Sequence, residues 1–156
     1  MMRPAIWLLL VLPQLAVLAP ASAAGSAEST SAASIEALPP YEVEWVYRVK
    51  WGHDEEFWRI FQKTQIPVLD REKELGYVLS YHVYKPGLHT SEDSRWNYRV
   101  VITYKNILSS THGGALEKEL FPDHSAYRNA ENQRWELIDA HYDLPIHEID
   151  PHAAGE

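Results

Sequence analysis

Residues 41–51 read YEVEWVYRVKW, and this stretch decides the fold. Every odd position is apolar or aromatic, whereas the even positions are charged except for Val46. Successive side chains of a β-strand point to opposite faces of a sheet. The alternation therefore predicts a strand with one buried face and one polar face.

Three more stretches alternate in the same way and predict strands over residues 77–85, 95–105 and 141–149. Between the first two strands, apolar residues recur at helical spacing after Asp54. A proline inside a helix removes a backbone donor and clashes with the preceding turn, so Pro67 predicts a kink.

A second main helix is predicted to start at Pro122 and Asp123, and Gly76 is predicted to end the first one. The resulting order is βαββαβ. Right-handed crossovers close this order into an α+β, ferredoxin-like fold, a four-stranded antiparallel sheet with two helices on one face.

The helices are expected to cover the apolar face of the sheet. On the second strand that face holds Tyr77, Leu79, Tyr81 and Val83, and on the fourth strand Tyr142, Leu144 and Ile146. The other face is predicted to be polar, with only a few apolar positions such as Val46, Val78, Val101 and Ile149. Its polar members are Glu42, Glu44, Arg48, Lys50, Ser80, His82, Tyr84, Arg95, Asn97, Arg99, Thr103, His141, Asp143 and His147.

The N-terminus has the three-part pattern of a secretory signal peptide over residues 1–23. Arg3 is followed by an apolar run over residues 6–12, and Ala21 and Ala23 have the spacing that signal peptidase requires. We expect cleavage after Ala23 and an exported, periplasmic or secreted bacterial protein. A retained membrane anchor is the alternative, but the run is interrupted by prolines and falls short of the roughly 20 apolar residues of a membrane span.

Residues 24–40 are rich in Ala and Ser and end in two prolines, which predicts a flexible tether. Residues 41–149 are predicted to form one domain and residues 150–156 a disordered tail. The chain has no cysteine, so disulfides cannot staple it in an oxidising compartment.

The chain is acidic, with a formal net charge of −8. Removal of Arg3 with the signal peptide leaves 13 basic against 22 acidic side chains, a net charge of −9. Nucleic acids and anionic membrane surfaces repel such a chain. We therefore predict neither as a partner once the signal peptide is removed.

The element order resembles that of the dimeric α/β-barrel superfamily, most closely its exported bacterial members without an assigned function. The resemblance is carried by Val43–Lys50, Gln65–Val68, Arg95–Tyr104 and Arg134–Asp139. It implies that two sheets pack face to face into a barrel, so a homodimer is expected. Members of the superfamily include cofactor-independent oxygenases, haem-degrading enzymes and muconolactone isomerase-like proteins. The Asn, Trp and His of the haem-degrading members match no motif here.

Five residues of the polar face are candidate ligand-binding residues: Arg48, Asn97, Arg99, His141 and Asp143. Arg48 and Arg99 lie on strands that should be neighbours, and guanidinium groups offer paired donors to a carboxylate. The alternative is that these arginines pair across strands with Glu42, Glu44 or Asp143.

His82 and Tyr84 lie two residues apart on one strand and are candidates for an acid/base pair. The alternative is that His82 is a solvated surface residue. His141 and His147 are separated by roughly 20 Å along a strand and cannot share a metal ion. No metal site and no cofactor are predicted.

Three functional hypotheses follow. The first is an exported protein that dimerises sheet to sheet and binds a small organic ligand beside its polar face. The second is a cofactor-independent oxygenase or isomerase acting on a small aromatic or polyketide-like substrate. The third is a structural assembly module, which predicts that the polar face is flat and fully solvated.

Overall fold

Four antiparallel strands form one sheet in the order β2-β3-β1-β4. The strands are β1 (Tyr41–Val49), β2 (Val78–Tyr84), β3 (Tyr98–Tyr104) and β4 (Ile138–Ile146). This computed structural model describes residues 37–88 and 90–153. The predicted signal peptide, most of the predicted tether, His89 and the last three residues of the predicted tail lie outside the described residues.

Helices follow β1 and β3. The first crossover contains α1 (Asp54–Thr64) and α2 (Ile66–Glu74), and the second contains α3 (Gly113–Leu120) and α4 (His124–Glu136). The expected kink at Pro67 is a break between two helices, because proline is tolerated in the first turn of a new helix, where α2 places it.

Two helix ends follow the sequence signals. Gly76 has a φ of +76°, the left-handed conformation that closes α2 without a side-chain clash. The Asp123 side chain accepts a hydrogen bond from the Ala126 amide at 3.0 Å and caps α4. Local chemistry thus favours the end of α2 in the first crossover and the start of α4 in the second.

The core lies between the helices and one face of the sheet. Tyr47 of β1 packs between Phe57 and Phe61 of α1, with ring centroids 5.2 and 5.6 Å apart. Val100 and Ile102 of β3 are fully buried on the same face. Paired residues of an antiparallel ladder share a face, so the side chains of β1 and β3 divide between the faces as predicted.

We call the uncovered side of the sheet the open face. It is formed by Glu42, Glu44, Val46 and Arg48 of β1, Ser80, His82 and Tyr84 of β2, Arg99, Val101 and Thr103 of β3, and Ala140, Tyr142, Leu144 and Ile146 of β4.

The orientation predicted for β4 is wrong. Tyr142 pairs with Val46 and Leu144 with Glu44, so the apolar residues of β4 face away from the helices. His141 pairs with the core residue Tyr47 and lies on the helix side. An alternating pattern defines two faces but not which one is covered, and a one-residue change of register exchanges them.

The start of β2 also differs from the prediction. A β-bulge between Val78 and Ser80 shifts the register by one residue. Val78 is buried at 2% exposure, whereas Leu79 is 51% exposed. The two residues therefore exchange their predicted roles, while Tyr81 and Val83 still pack against the core.

Candidate functional site

Arg48 and Arg99 lie near each other on the open face, on the neighbouring strands β1 and β3. Arg99 pairs with Val46, and Arg48 is the next residue of β1 on that face. Within the described residues, the Nε atoms of both arginines are buried and have no hydrogen-bond partner. Both atoms are shielded from solvent, so a ligand can contact only those parts of the two side chains that line the neighbouring cavity.

The predicted alternative, pairing across strands, is realised in part. Arg99 Nη1 lies 3.4 Å from Glu44 Oε1. Glu42 instead accepts a hydrogen bond from Thr103 Oγ1 at 2.9 Å. The Arg99 side chain is 40% exposed, and an ion pair at such a site contributes little to stability. The ion pair with Glu44 orients the guanidinium group of Arg99 and does not engage its Nε.

A cavity of about 140 Å³ lies beside the two arginines. Its lining is formed by Val46, Arg48, Asp93, Ser94, Arg95, Trp96, Arg99, Ala140 and Tyr142. The guanidinium carbon of Arg99 lies 4.5 Å from the centroid of the Trp96 ring. Stacking of this kind fixes both groups. The cavity thus combines cationic donors with aromatic walls.

Arg95 contacts several segments at this end of the sheet. The sequence pattern placed it among the polar-face residues but did not make it a candidate site residue. Its side chain is only 10% exposed. Nη1 donates to Val49 O at 2.7 Å, and the other nitrogens contact Glu92 at 3.1 Å and Asp139 at 3.2 Å. Glu92 lies three residues before Arg95, which is the local signal that could have indicated the pair.

Asn97 belongs to the same network. Its Oδ1 accepts from the Val49 amide at 2.8 Å and from Arg95 at 2.8 Å, and its Nδ2 donates to Asp54 Oδ1 at 3.1 Å. These bonds join the loop before β3 to the end of β1 and the start of α1. The side chain holds the loop, so little of its bonding capacity remains for the predicted ligand contact.

A second cavity, of about 430 Å³, shares Arg95 and Trp96 with the first. Trp51 forms one of its walls and is 73% exposed. The guanidinium carbon of Arg95 lies 4.5 Å from the Trp51 ring centroid. All the nitrogens of Arg95 have partners, so this cavity offers an aromatic wall without a free cationic donor.

His141 and Asp143 form a contact on the helix side rather than on the open face. His141 Nδ1 lies 3.1 Å from Val46 O, and Nε2 lies 3.1 Å from Asp143 Oδ1. The imidazole stacks on Tyr47 at 4.2 Å and meets the Trp135 ring edge-on at 5.3 Å. His141 pairs with Tyr47 and Asp143 with Trp45, so the predicted placement of the two residues on the polar face of the sheet is wrong.

His82 and Tyr84 lie on the open face of the outer strand β2, where both are exposed. Their ring centroids are 6.4 Å apart and tilted by 42°. Tyr84 pairs with Arg99 across the strands. The rings do not stack, and the catalytic role of these residues stays a prediction.

Buried titratable groups lie on the helix side. Glu72 of α2 is 3% exposed, and burial together with the nearby Glu117 raises its pKa to about 7. Burial also raises the pKa of Tyr47 far above its ordinary value. Burial alone would raise the pKa of Glu131, but hydrogen bonds from Arg134 outweigh it and the pKa is lowered.

Residues 37–88 and 90–153 contain no group of three or more His, Asp or Glu side chains placed to hold a metal ion. Within the same ranges, no helix has the length and apolar character needed to cross a membrane.

The strand order, the antiparallel pairing and the single helix layer are those of the ferredoxin-like fold. Three solved structures are similar to this chain. A dimeric ferredoxin-like protein from an uncultured marine organism has 8% identity and a TM-score of 0.48, and the match covers 72% of this chain and 92% of that one. A dimeric ferredoxin-like protein of unknown function from a Jannaschia species has 10% identity, a TM-score of 0.46, and coverage of 70% and 99%.

The third structure is SnoaB, a cofactor-independent oxygenase from Streptomyces nogalater, at 12% identity and a TM-score of 0.43, with coverage of 72% and 97%. The strand order of the sheet gives this chain a ferredoxin-like fold. Identities this low concern the fold alone. No family model and no curated protein matches the chain.

Proposed function

We propose that the chain is a homodimer formed through the open face, and that the dimer encloses a small organic ligand beside Arg48 and Arg99. One observation carries the proposal. Tyr142, Leu144 and Ile146 are 55%, 45% and 36% exposed, and they form an apolar row on a face that none of the helices in residues 37–88 and 90–153 covers. Apolar patches rimmed by polar groups are typical of interaction sites.

A second copy of the chain is the partner that fits this face. A two-fold axis brings a patch against its own copy, so the patch must complement itself. The apolar row of β4 continues through Val46 on β1 to Val101 on β3. Two glutamates and two arginines lie on the open face of β1 and β3, so the two copies can pair opposite charges there.

The cavity beside Arg48 and Arg99 favours ligand binding over a purely structural module, which would need no concave site lined by arginine and aromatic side chains. The contacts of His82 and Tyr84 do not specifically favour the oxygenase or isomerase hypothesis, which stays a prediction.

We also propose that the mature protein is exported after cleavage behind Ala23. The support is the pattern of charge, apolar run and small residues in the first 23 positions. Mass spectrometry of the protein recovered from the periplasm and culture medium of a bacterial host tests this. An intact N-terminus in the cytoplasmic fraction would contradict it.

The decisive experiment on assembly is light scattering of the mature protein, with native mass spectrometry of the same sample. We expect twice the chain mass and a co-purified small molecule. Leu144→Asp places a charge in the apolar row and should give a folded single chain. Ile107→Asp is the matched control, because Ile107 is 53% exposed but lies outside the open face.

A wild-type protein with the mass of one chain would overturn the dimer. A dimer that survives Leu144→Asp but dissociates on Ile107→Asp would move the interface away from the open face.

A further inference from the structure

We infer that the ligand bound beside Arg48 and Arg99 is a small, single-ring aromatic carboxylate, an inference that rests on the proposed function and specifies its ligand. The guanidinium groups of Arg48 and Arg99 supply the first argument. Both arginines line the same cavity. Guanidinium N–H groups match the oxygens of a carboxylate in geometry and charge.

The charge of the lining supplies the second argument. Three arginines and one aspartate, Asp93, line the cavity. Arg95 is fully engaged by Glu92, Asp139, Asn97 and the Val49 carbonyl, and Arg99 shares one nitrogen with Glu44. Asp93 is solvent-exposed, and Arg48 forms no salt bridge within the described residues, so Arg48 is the lining cation that can meet a ligand with a single negative charge.

The walls and the size of the cavity supply the third argument. Trp96 and Tyr142 line it, and Trp96 is held by the guanidinium of Arg99 at 4.5 Å. The cavity volume is about 140 Å³. This volume is about that of a cavity that holds benzene, so it accommodates one aromatic ring.

Isothermal titration calorimetry of the mature wild-type protein with benzoate tests the inference. Benzamide keeps the ring and removes the charge, whereas acetate keeps the charge and removes the ring. We expect benzoate to bind about tenfold more tightly than either, because loss of a charged hydrogen bond or of a stacked ring costs about that factor. Equal affinities for benzoate and benzamide would overturn the carboxylate, and inorganic phosphate binding as tightly as benzoate would overturn the aromatic acid.

Substitutions of the lining arginines test whether benzoate binds in the cavity. Arg48→Gln and Arg99→Gln should each weaken benzoate binding about 10- to 100-fold. Arg59→Gln is the control, because Arg59 is exposed on α1 and its Nε donates to the Glu55 carbonyl, away from the open face. Circular dichroism verifies folding, and the comparison of benzoate with benzamide needs no variant.

Light scattering of the titrated samples separates the two proposals. A dimer that binds benzoate no better than benzamide and acetate would overturn the aromatic carboxylate and leave the dimer intact. A single chain that binds benzoate, with binding weakened by Arg48→Gln, would overturn the dimer and support the ligand class.

Discussion

Strands β1 and β4 lie side by side, yet they divide their apolar and polar side chains between the two sheet faces in opposite ways. β1 directs Val43 and Tyr47 toward the helices and Glu44 toward the open face. β4 directs Tyr142 and Leu144 toward the open face. The helix side of β4 carries His141 and Asp143 instead.

Position in the sheet explains the difference. β1 is a central strand under the helices, so its apolar row forms the core. β4 is an outer strand, and the helix side of its second half receives little cover: Asp143 is 61% exposed. In the proposed dimer, an apolar row on such a strand is buried by facing a partner across the open face. The comparison thus separates burial within the chain from burial in the proposed dimer, and four experiments test that separation.

The largest effect is expected for Phe57→Ala. Phe57 is fully buried against Tyr47 and Tyr98, so its removal should lower the free energy of unfolding by about 3–5 kcal/mol. Urea unfolding measures this. The control is Tyr142→Ala in the Leu144→Asp background, where a 55% exposed aromatic side chain should cost less than about 1 kcal/mol. Equal losses of unfolding free energy for Phe57→Ala and Tyr142→Ala would show that both faces of the sheet are covered within one chain.

Val78→Ala and Leu79→Ala test the bulge of β2. Val78 is 2% exposed and its truncation should cost about 2 kcal/mol, whereas truncation of the 51% exposed Leu79 should cost under about 0.5 kcal/mol. The two residues are adjacent, so each is the control for the other. A larger loss of unfolding free energy for Leu79→Ala than for Val78→Ala would contradict the bulge and support the regular alternation predicted from the sequence.

Glu72→Gln tests the cost of a carboxyl group buried on the helix side. The folded protein holds the Glu72 proton up to a pKa of about 7, above the ordinary value of 4.5. Ionisation therefore disfavours the folded state, and stability is lost as pH rises from about 4.5 to about 7, with no further loss above that. The free energy of unfolding of the variant should exceed that of the wild type by about 2 kcal/mol at pH 8, and the two should be equal near pH 4.

The control for Glu72→Gln is Glu55→Gln, an exposed position on α1. Chemical unfolding at a series of pH values gives the difference between each variant and wild type. A difference that stays constant from pH 4 to pH 8 would contradict the burial of an ionisable Glu72.

The smallest effect is expected for His141→Phe. This change keeps the stack on Tyr47 and removes the hydrogen bonds to Val46 O and Asp143, at a cost of about 1 kcal/mol. His82→Phe on the open face is the matched change, and in the Leu144→Asp background we expect it to be neutral in thermal unfolding. The reverse ranking would place His141, rather than His82, on the open face.

Much of the fold was predictable because local chemistry specified it. The alternation in residues 41–51 and 95–105 predicted the faces of the two central strands, and Gly76 and Asp123 predicted helix ends. The site was predictable in part: Arg48 and Arg99 do lie together at a cavity. The orientation of β4 was not, because alternation is symmetric between the faces and only tertiary packing selects one.

The two outer strands also bear on how the protein behaves when concentrated. The free edge of a sheet is a template on which other chains can add strands and grow into fibrils. Here one outer strand contains Pro145, which has no amide hydrogen to donate, and the other begins with the bulge at Val78 and Ser80. Both edges are thus poor templates for strand addition. In the proposed dimer, association through the open face closes after one partner, so concentrated protein should stay clear and free of fibrils.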